Sequence, residues 1–445
     1  MSYHKIINFL YKLMVNLVEL FIMGNKGVKK KCVKPYTFKI YVDEKIDPNN
    51  KLSKRIPLPR SGHRIVCDTK NLYSFGGYNP SVLNDEHRNH DELSVHAFPL
   101  FQELWKFNFA SKKWVRFSSR ESLPQELASN AVIRHGNILM VISLLLCLEG
   151  RFFLSSLQVY GGTGSPFGYR CSNQLYICRL PNENSVMKEI VTVGNAPLAQ
   201  YGQALVFHND YLYTIGGTTG FTYTCDIHRL NMKTFFWEAV YICQGQGDYE
   251  PEGRYRHEIA FDGQNIYVLG GGTAEHAFGF AEIPVFNVEK RQWYKQKTFR
   301  DHSNISTTNN GIPPARRCHG AVQIDCDNVV QVFISGGYDG TQIFDDLWCL
   351  NLKTYKWTLI NTYTLPYPTY FHSAAVTPEG KMYIFGGIFA HGDIERNNVV
   401  HCAWLCIPKL SEMCWEALLH YNPQIVNLPK TKLIDAGLPR HFIQD

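Results

Sequence analysis

Six glycine doublets punctuate the 445-residue chain: Gly76-Gly77, Gly161-Gly162, Gly216-Gly217, Gly270-Gly271, Gly336-Gly337 and Gly386-Gly387. Short apolar runs lead into them, as in "NLYSFGG", "DYLYTIGG", "QNIYVLGG", "VVQVFISGG" and "KMYIFGG". A second apolar run follows most doublets and ends at a tryptophan: Trp114, Trp237, Trp293 and Trp357. In the first unit a polar insert near residues 79–97 displaces "ELWKFNFASKKW" downstream. A doublet lets the backbone turn where a Cβ would clash. A unit this short cannot bury both faces of its own sheet, so the units must stack on one another.

A period of roughly fifty residues is that of the kelch β-propeller. The expected fold is therefore all-β: six four-stranded blades round a channel, with the tryptophans packed between neighbouring blades. The last unit supplies "FHSAAV", "KMYIFGG" and "VVHCAWLCI" but no fourth strand, whereas "YTFKIYVDE" (36–44) precedes the first full unit. An N-terminal strand completing the last blade would leave no open edge there. The ring is expected to span 34–407, with an N-terminal extension over 1–33 and a helical tail over 408–445.

Composition agrees with a folded protein rich in turns: 45% apolar, 19% charged, 13% aromatic, with 34 glycines. The net charge of +6, with signs interspersed, is too mild to argue for nucleic acid or an acidic membrane. The thirteen cysteines include no C-x-x-C, and Cys67, Cys349 and Cys406 sit in strand-like runs. That argues against zinc or a disulfide framework and for a reducing compartment, the cytoplasm with the nucleus as an alternative. The extension contains "INFLYKLMVNLVELFIMGNKGVKKK", but Lys12 and Glu19 interrupt it and its basic cluster follows the apolar run, unlike a signal peptide. It is expected to be disordered or amphipathic. "ILMVISLLLCLEGRFFLSSLQVYGG" in the second unit is longer than its counterparts, which makes Ile142–Val159 surplus, as a retained intron would be. Glu149 and Arg151 divide that run, so neither half approaches the length of a membrane span.

A loop position recurs ahead of an apolar run in every unit: "RSGH" (60–63), "ELAS" (126–129), "QYGQ" (200–203), "RYRH" (254–257), "RRCH" (316–319) and "TYFH" (369–372). One histidine per blade, at His63, His257, His319 and His372, puts the imidazoles on a ring too wide for one metal ion. Hydrogen bonding to backbone at the turn is their expected role. Arg254, Arg256, Arg316 and Arg317 fall in adjacent blades, with Tyr201, Tyr255 and Tyr370 at the same register. Guanidiniums flanked by aromatics suit a carboxylate or phosphate on an extended ligand; pairing with local acids such as Glu252 and Glu258 is the alternative. Loops after the doublets are expected to add hydroxyls from Thr163, Thr218, Thr273 and Tyr338. No nucleophile elbow, phosphate-cradling loop or H-E-x-x-H is present, so a non-catalytic protein without a cofactor is expected.

After "CAWLCIP" the period changes. Leu410, Met413, Cys414, Ala417 and Leu418 lie on one helical stripe, and a second helical pattern runs from Thr431 to Leu438. Leu410, Cys414 and Leu418 resemble the elongin-binding box of cullin substrate receptors, an amphipathic helix laid into a partner's groove. Lys409 stands where that box has a small residue or proline more often. Leu428-Pro429 and Leu438-Pro439 are candidates for the segment that selects the cullin.

With "RSGHRIVCDTKNLYSFGGYNP", "LYTIGGTTGFTYTCDIHRLN", "RYRHEIAFDGQNIYVLGGGT", "PARRCHGAVQI" and "YFHSAAVTPEGKMYIFGG" in one chain with this tail, the sequence resembles the kelch-repeat substrate receptors of cullin-2 ubiquitin ligases over about residues 55–420. The resemblance implies elongin B/C and cullin-2 as partners. It also implies a basic propeller pocket for C-terminal tails of target proteins, often glycine-ended. A non-ligase kelch scaffold for signalling or cytoskeletal partners is the competing reading.

Overall fold

A computed structural model describes residues 39–40 and 56–435, except 82–99, 118–122, 124–127, 136–155, 165–166, 180–186, 246, 248, 301–310, 327, 392, 422–424 and 426–427. Among the described residues, six sheets of four or five strands follow one another along the chain, antiparallel except for a short parallel outer strand in each of the two five-stranded ones. In the fourth, Glu258–Phe261 pairs with Asn265–Leu269, then Glu282–Asn287, then Gln292–Lys297 at the outer edge. The innermost strands are Arg64–Cys67, Ala131–His135, Ala204–His208, Glu258–Phe261, Gly320–Cys326 and Ser373–Val376. Each of these neighbours the next, and Ser373–Val376 returns to Arg64–Cys67, so the six blades form a closed ring. This is the all-β kelch propeller expected.

Interblade packing explains the repeated residues. Trp114 lies 5.1 Å from Phe385 of the last blade, Trp237 lies 5.2 Å from Tyr160 of the second, and Trp357 lies 5.4 Å from Phe280 of the fourth. Each tryptophan thus covers the blade preceding its own. The histidines are wedges of the same kind, and all four are buried. A Cβ on Gly216 of blade three would meet the His257 ring at 2.7 Å, and one on Gly271 of blade four would meet the His257 Cβ at 2.6 Å. Both glycines of a doublet are therefore needed to seat an imidazole: the first makes room for the next blade's histidine, the second for its own. In blade three Gln203 takes that position. The four rings sit in separate blades against backbone, so packing, more than hydrogen bonding, is what they contribute.

In the last blade Lys39–Ile40 lies beside Val400–Trp404, with Lys39 opposite Cys402; the rest of the expected strand 36–44, and all of 1–33, lie outside the described residues. The second blade corrects one expectation. Ser156–Tyr160 forms its strand next to the innermost one, pairing with Ala131–His135 and Leu175–Arg179, so the last four residues of the supposed surplus 142–159 belong to the sheet. Two apolar segments flank the insertion and compete for one slot. The one joined directly to Gly161-Gly162 has its register set by the doublet, and it occupies the slot. Residues 142–155 lie outside the described residues.

Among the described residues the tail holds two helices, α1 (Leu410–Tyr421) and α2 (Lys430–Asp435). At 3.6 residues per turn, Trp415, Glu416, Leu419 and Glu412 share one side of α1, which meets the Asp68–Asn71, Phe109–Lys112 and Thr377–Lys381 turns. Glu416 accepts from Lys381 Nζ at 2.5 Å and Trp404 Nε1 at 3.1 Å, and Trp415 is buried with Ile425 and Leu433. Those turns lie at the far ends of the inner strands from the "RSGH"-type loops, so α1 rests on the opposite face of the ring.

Candidate functional site: a cationic mouth on the propeller

The mouth is organised by one backbone circuit. The third residue of each loop adopts the left-handed conformation: Gly62, Ser129, Gly202, Arg256, Cys318 and Phe371, with φ between 53 and 70°. Each of these N–H groups donates to the equivalent carbonyl of the neighbouring blade, at 2.8 to 3.1 Å, from Ser129 to Gly62 and onward until Gly62 donates to Phe371. Six hydrogen bonds in a circle thus tie the six loops together round the channel. They also set the register of the second blade, where Ala128 pairs with Thr163 as Ser61 pairs with Tyr78 and Tyr255 with Gly272. The equivalent of "RSGH" there is Leu127–Asn130, one residue beyond the "ELAS" alignment, because the apolar run alone does not distinguish the two.

Arg256 fills the aperture. Its Nη2 donates to Ser129 Oγ across the ring, its guanidinium lies 4.8 Å from the Phe371 ring centroid, and the residue is 5% exposed. Its Nε has no hydrogen-bond partner among the described residues. Burial, with Arg64 nearby, pulls this guanidinium down to about 10. Beneath it Arg64 pairs with Glu258 at 2.6 Å inside the channel. Above it the second loop residues form a half-exposed collar: Tyr201, Tyr255, Arg317 and Tyr370. Tyr201 and Tyr255 meet edge to face at 6.0 Å, and burial raises both hydroxyl pKa values. Arg317 lies 5.9 Å from the Tyr338 ring, which is 5.2 Å from that of Tyr370, and it donates to the Thr273 carbonyl.

The expected arginine cluster divides in two. Arg256 and Arg317 reach the mouth; Arg254 and Arg316 do not. Arg254 donates to the Gly270 carbonyl at 3.1 Å and lies 3.8 Å from the Phe278 ring. Arg316 donates to the Gly336 carbonyl at 2.9 Å and holds Asp346 with both Nη atoms. Arg60 does the same in blade one, through Gly76 and Glu103. The first loop position is therefore a structural clamp on the doublet, and Arg254 and Arg316 are corrected from ligand contacts to clamps. Thr163 and Thr218 are buried and hydrogen-bond within their own loops.

Sequence reasoning missed Arg396. It sits on the hairpin Ile388–His391/Asp393–Arg396 after the last doublet, donates to Ser61 Oγ at 3.0 Å, and lies 5.2 Å from the Tyr78 ring. No repeat frame marks it, because the loops that follow the doublets differ in length and sequence from blade to blade. Among the described residues, Arg256, Arg317 and Arg396 have no carboxylate within 4.0 Å. Neither Glu252 nor Glu258 neutralises them: Glu258 is held by Arg64, and Glu252 faces His276 at 3.7 Å. Three cations framed by tyrosines round a closed floor can accept a carboxylate or phosphate through forked, charge-assisted hydrogen bonds.

On the tail, Leu410 is 40% exposed, and Met413, Cys414 and Ala417 are half-buried on the side of α1 turned away from Trp415. Leu418 lies at the border, against the Trp415, Ile425 and Leu433 cluster. Among the described residues no group of three or more His, Cys, Asp or Glu side chains converges, and no helix is long and apolar enough to cross a membrane.

Ring, doublets and mouth define a six-bladed kelch-repeat propeller, and the model of the KLHDC2/KLHL20/DRC7 Kelch-repeats domain matches residues 152–305 and 300–422. The chain belongs to the family of Kelch domain-containing protein 10. It is 40% identical to the human protein of that name over 398 residues, covering 89% of this chain and 82% of the relative. Against the Xenopus laevis protein it is 40% identical over 391 residues, 88% and 86% of the two chains. The Drosophila melanogaster homolog is 40% identical over 399 residues, 87% of this chain but 62% of the relative. Kelch-repeat proteins are generally non-catalytic binding scaffolds.

Proposed function

We propose that this protein is the substrate-recognition subunit of a cullin-2–elongin B/C ubiquitin ligase, acting without a cofactor in the cytoplasm. In this reading the mouth takes the C-terminal tail of a target protein, often glycine-ended, and α1 with the following segment takes elongin and cullin. The observation that carries it is the set Arg256, Arg317 and Arg396, cations set beside aromatic rings with no carboxylate within 4.0 Å among the described residues. A terminal carboxylate supplies the missing charge, and a floor closed by Arg256 favours a chain end over a chain middle. The opposite placement of α1 supports the division of labour, since a partner there leaves the mouth open. The Leu410, Cys414 and Ala417 side of the helix is turned outward, while Trp415 and Glu416 fasten the other side.

Two measurements test it. Glycine-ended peptides should bind as free acids, and amidation of the C-terminus should abolish binding; equal affinity for both forms would remove the carboxylate from the account. Elongin B/C should co-purify with the wild type but not with Leu410→Asp or Cys414→Asp. Absence of elongin from the wild-type complex would favour the kelch scaffold.

A further inference from the structure

The mouth is not symmetric. Two of its cations, Arg317 and Arg396, stand on the side of blades five, six and one, where Arg317 faces Tyr338 and Arg396 faces Tyr78, while Arg256 spans the centre. The side of blades two and three carries exposed rings, with the exposed Arg170 beside them: Phe167, Tyr169 at 75% exposure and Phe221 at 71%. Tyr169 and Phe221 meet edge to face at 5.6 Å, from the loops that follow two successive doublets. Those loops clasp each other through their backbones. A Cβ on Gly220 would come within 2.5 Å of Gly168 Cα, and Cys171 Sγ lies 3.5 Å from both the Gly168 and the Thr219 carbonyl oxygens. The ridge is thus held in place, while its rings remain in water, where clustered aromatic surface marks a contact site.

We infer that this ridge binds an apolar side chain of the same tail whose carboxylate the arginines hold, and so sets the direction in which the tail leaves the mouth. The inference rests on the tail-binding reading. The backbone circuit and Arg256 close the floor, so a bound chain must leave over the rim. With its negative end drawn to Arg317 and Arg396, the uncharged remainder runs toward the opposite, aromatic rim. The distance is short: Arg396 is 5.2 Å from the Tyr78 ring, and Tyr78 is 4.8 Å from the Phe167 ring. An extended chain advances about 3.3 Å per residue, so a side chain three to five residues from the end falls on Phe167, Tyr169 and Phe221.

The test uses the full-length protein and a fluorescent ten-residue glycine–serine peptide ending in a glycine carboxylate, with one leucine moved stepwise from the second to the eighth position from the end. Leucine at the third to fifth positions should tighten binding by about tenfold, the order expected for burying one such side chain. The double variant Tyr169→Ser/Phe221→Ser should lose that gain and keep the affinity for the plain peptide, which also reports that the ring is intact. A gain independent of leucine position, or one that persists in the double variant, would overturn the ridge and leave the carboxylate site standing. Absence of binding by every free-acid peptide, or indifference to amidation, would remove the tail site and the ridge with it.

Discussion

The backbone N–H of Gly62 donates to the carbonyl of Phe371 across 3.1 Å, and this bond joins the first blade to the last at the mouth. It completes the circle of six hydrogen bonds over which Arg256 lies. Gly62 has a φ of 67°, and a Cβ there would stand 3.2 Å from Arg256 Nη2. Gly62→Val therefore combines left-handed strain with displacement of the guanidinium, at a cost of about 1–3 kcal/mol. Thermal unfolding should show the loss, and free-acid peptide affinity should fall with it.

The buried histidines make stability depend on pH. Burial, with Arg254 nearby, lowers His257 to about 3, and burial likewise lowers His372 to about 3. A histidine unfolded near 6.5 takes up a proton that the folded state refuses. Their contribution is complete above about pH 6.5 and is lost as the pH falls from there toward 3. Urea unfolding at pH 7.5 and pH 5 should show a weaker protein at pH 5. His257→Gln, with the residue that blade three already uses, should reduce the difference.

Charge reversal should sort the arginines. Arg254→Glu and Arg316→Glu remove clamps on Gly270 and Gly336, and the latter also strands Asp346. A loss of about 3–5 kcal/mol is expected where a buried ion pair is broken, seen as a lowered melting temperature or insoluble protein. Arg317→Glu and Arg396→Glu, at the rim, should keep the wild-type melt and lose free-acid peptide binding by at least about tenfold.

The mount of the tail depends on Lys381, which sits 5.0 Å from the Trp404 ring and pairs with Glu416. Lys381→Met takes its cation from the partly buried Glu416 carboxylate, leaving the Trp404 Nε1 hydrogen bond, and hydrogen exchange across 410–421 should quicken by about ten- to a hundredfold, as losing a charged hydrogen bond implies. The double variant Lys381→Met/Glu416→Leu should recover part of the protection, since no lone charge remains. Unchanged exchange in the single variant would show that Trp415 and its cluster hold the helix alone.

Much of the ring is legible in the residue order, because a propeller repeats its requirements. Most blades need two glycines to admit the imidazole or amide edges at the doublet, and most carry a tryptophan, so Gly216, Gly271, His257 and Trp237 announce the fold through spacing. The site is only half legible. Arg254 and Arg256 are two residues apart, and one clamps a carbonyl while the other spans the aperture, because successive backbone positions point in different directions from a left-handed turn. Arg396 is invisible to spacing, since it stands in a segment after the doublet whose length and sequence vary from blade to blade.

What the sequence alone determined, then, is the period: strand, doublet, strand, tryptophan, which allows few other ways to bury its apolar faces. What only the tertiary structure decided is which polar groups are already satisfied. Arg316 finds Asp346 thirty residues away, whereas Arg256 reaches Ser129 and Phe371 across the ring. It decided equally that Ser156–Tyr160 lies in the second blade, and that α1 turns Trp415 inward and Leu410 outward. Periodicity records the repeated burial of like residues, but partnership between unlike residues arises only where separate blades meet.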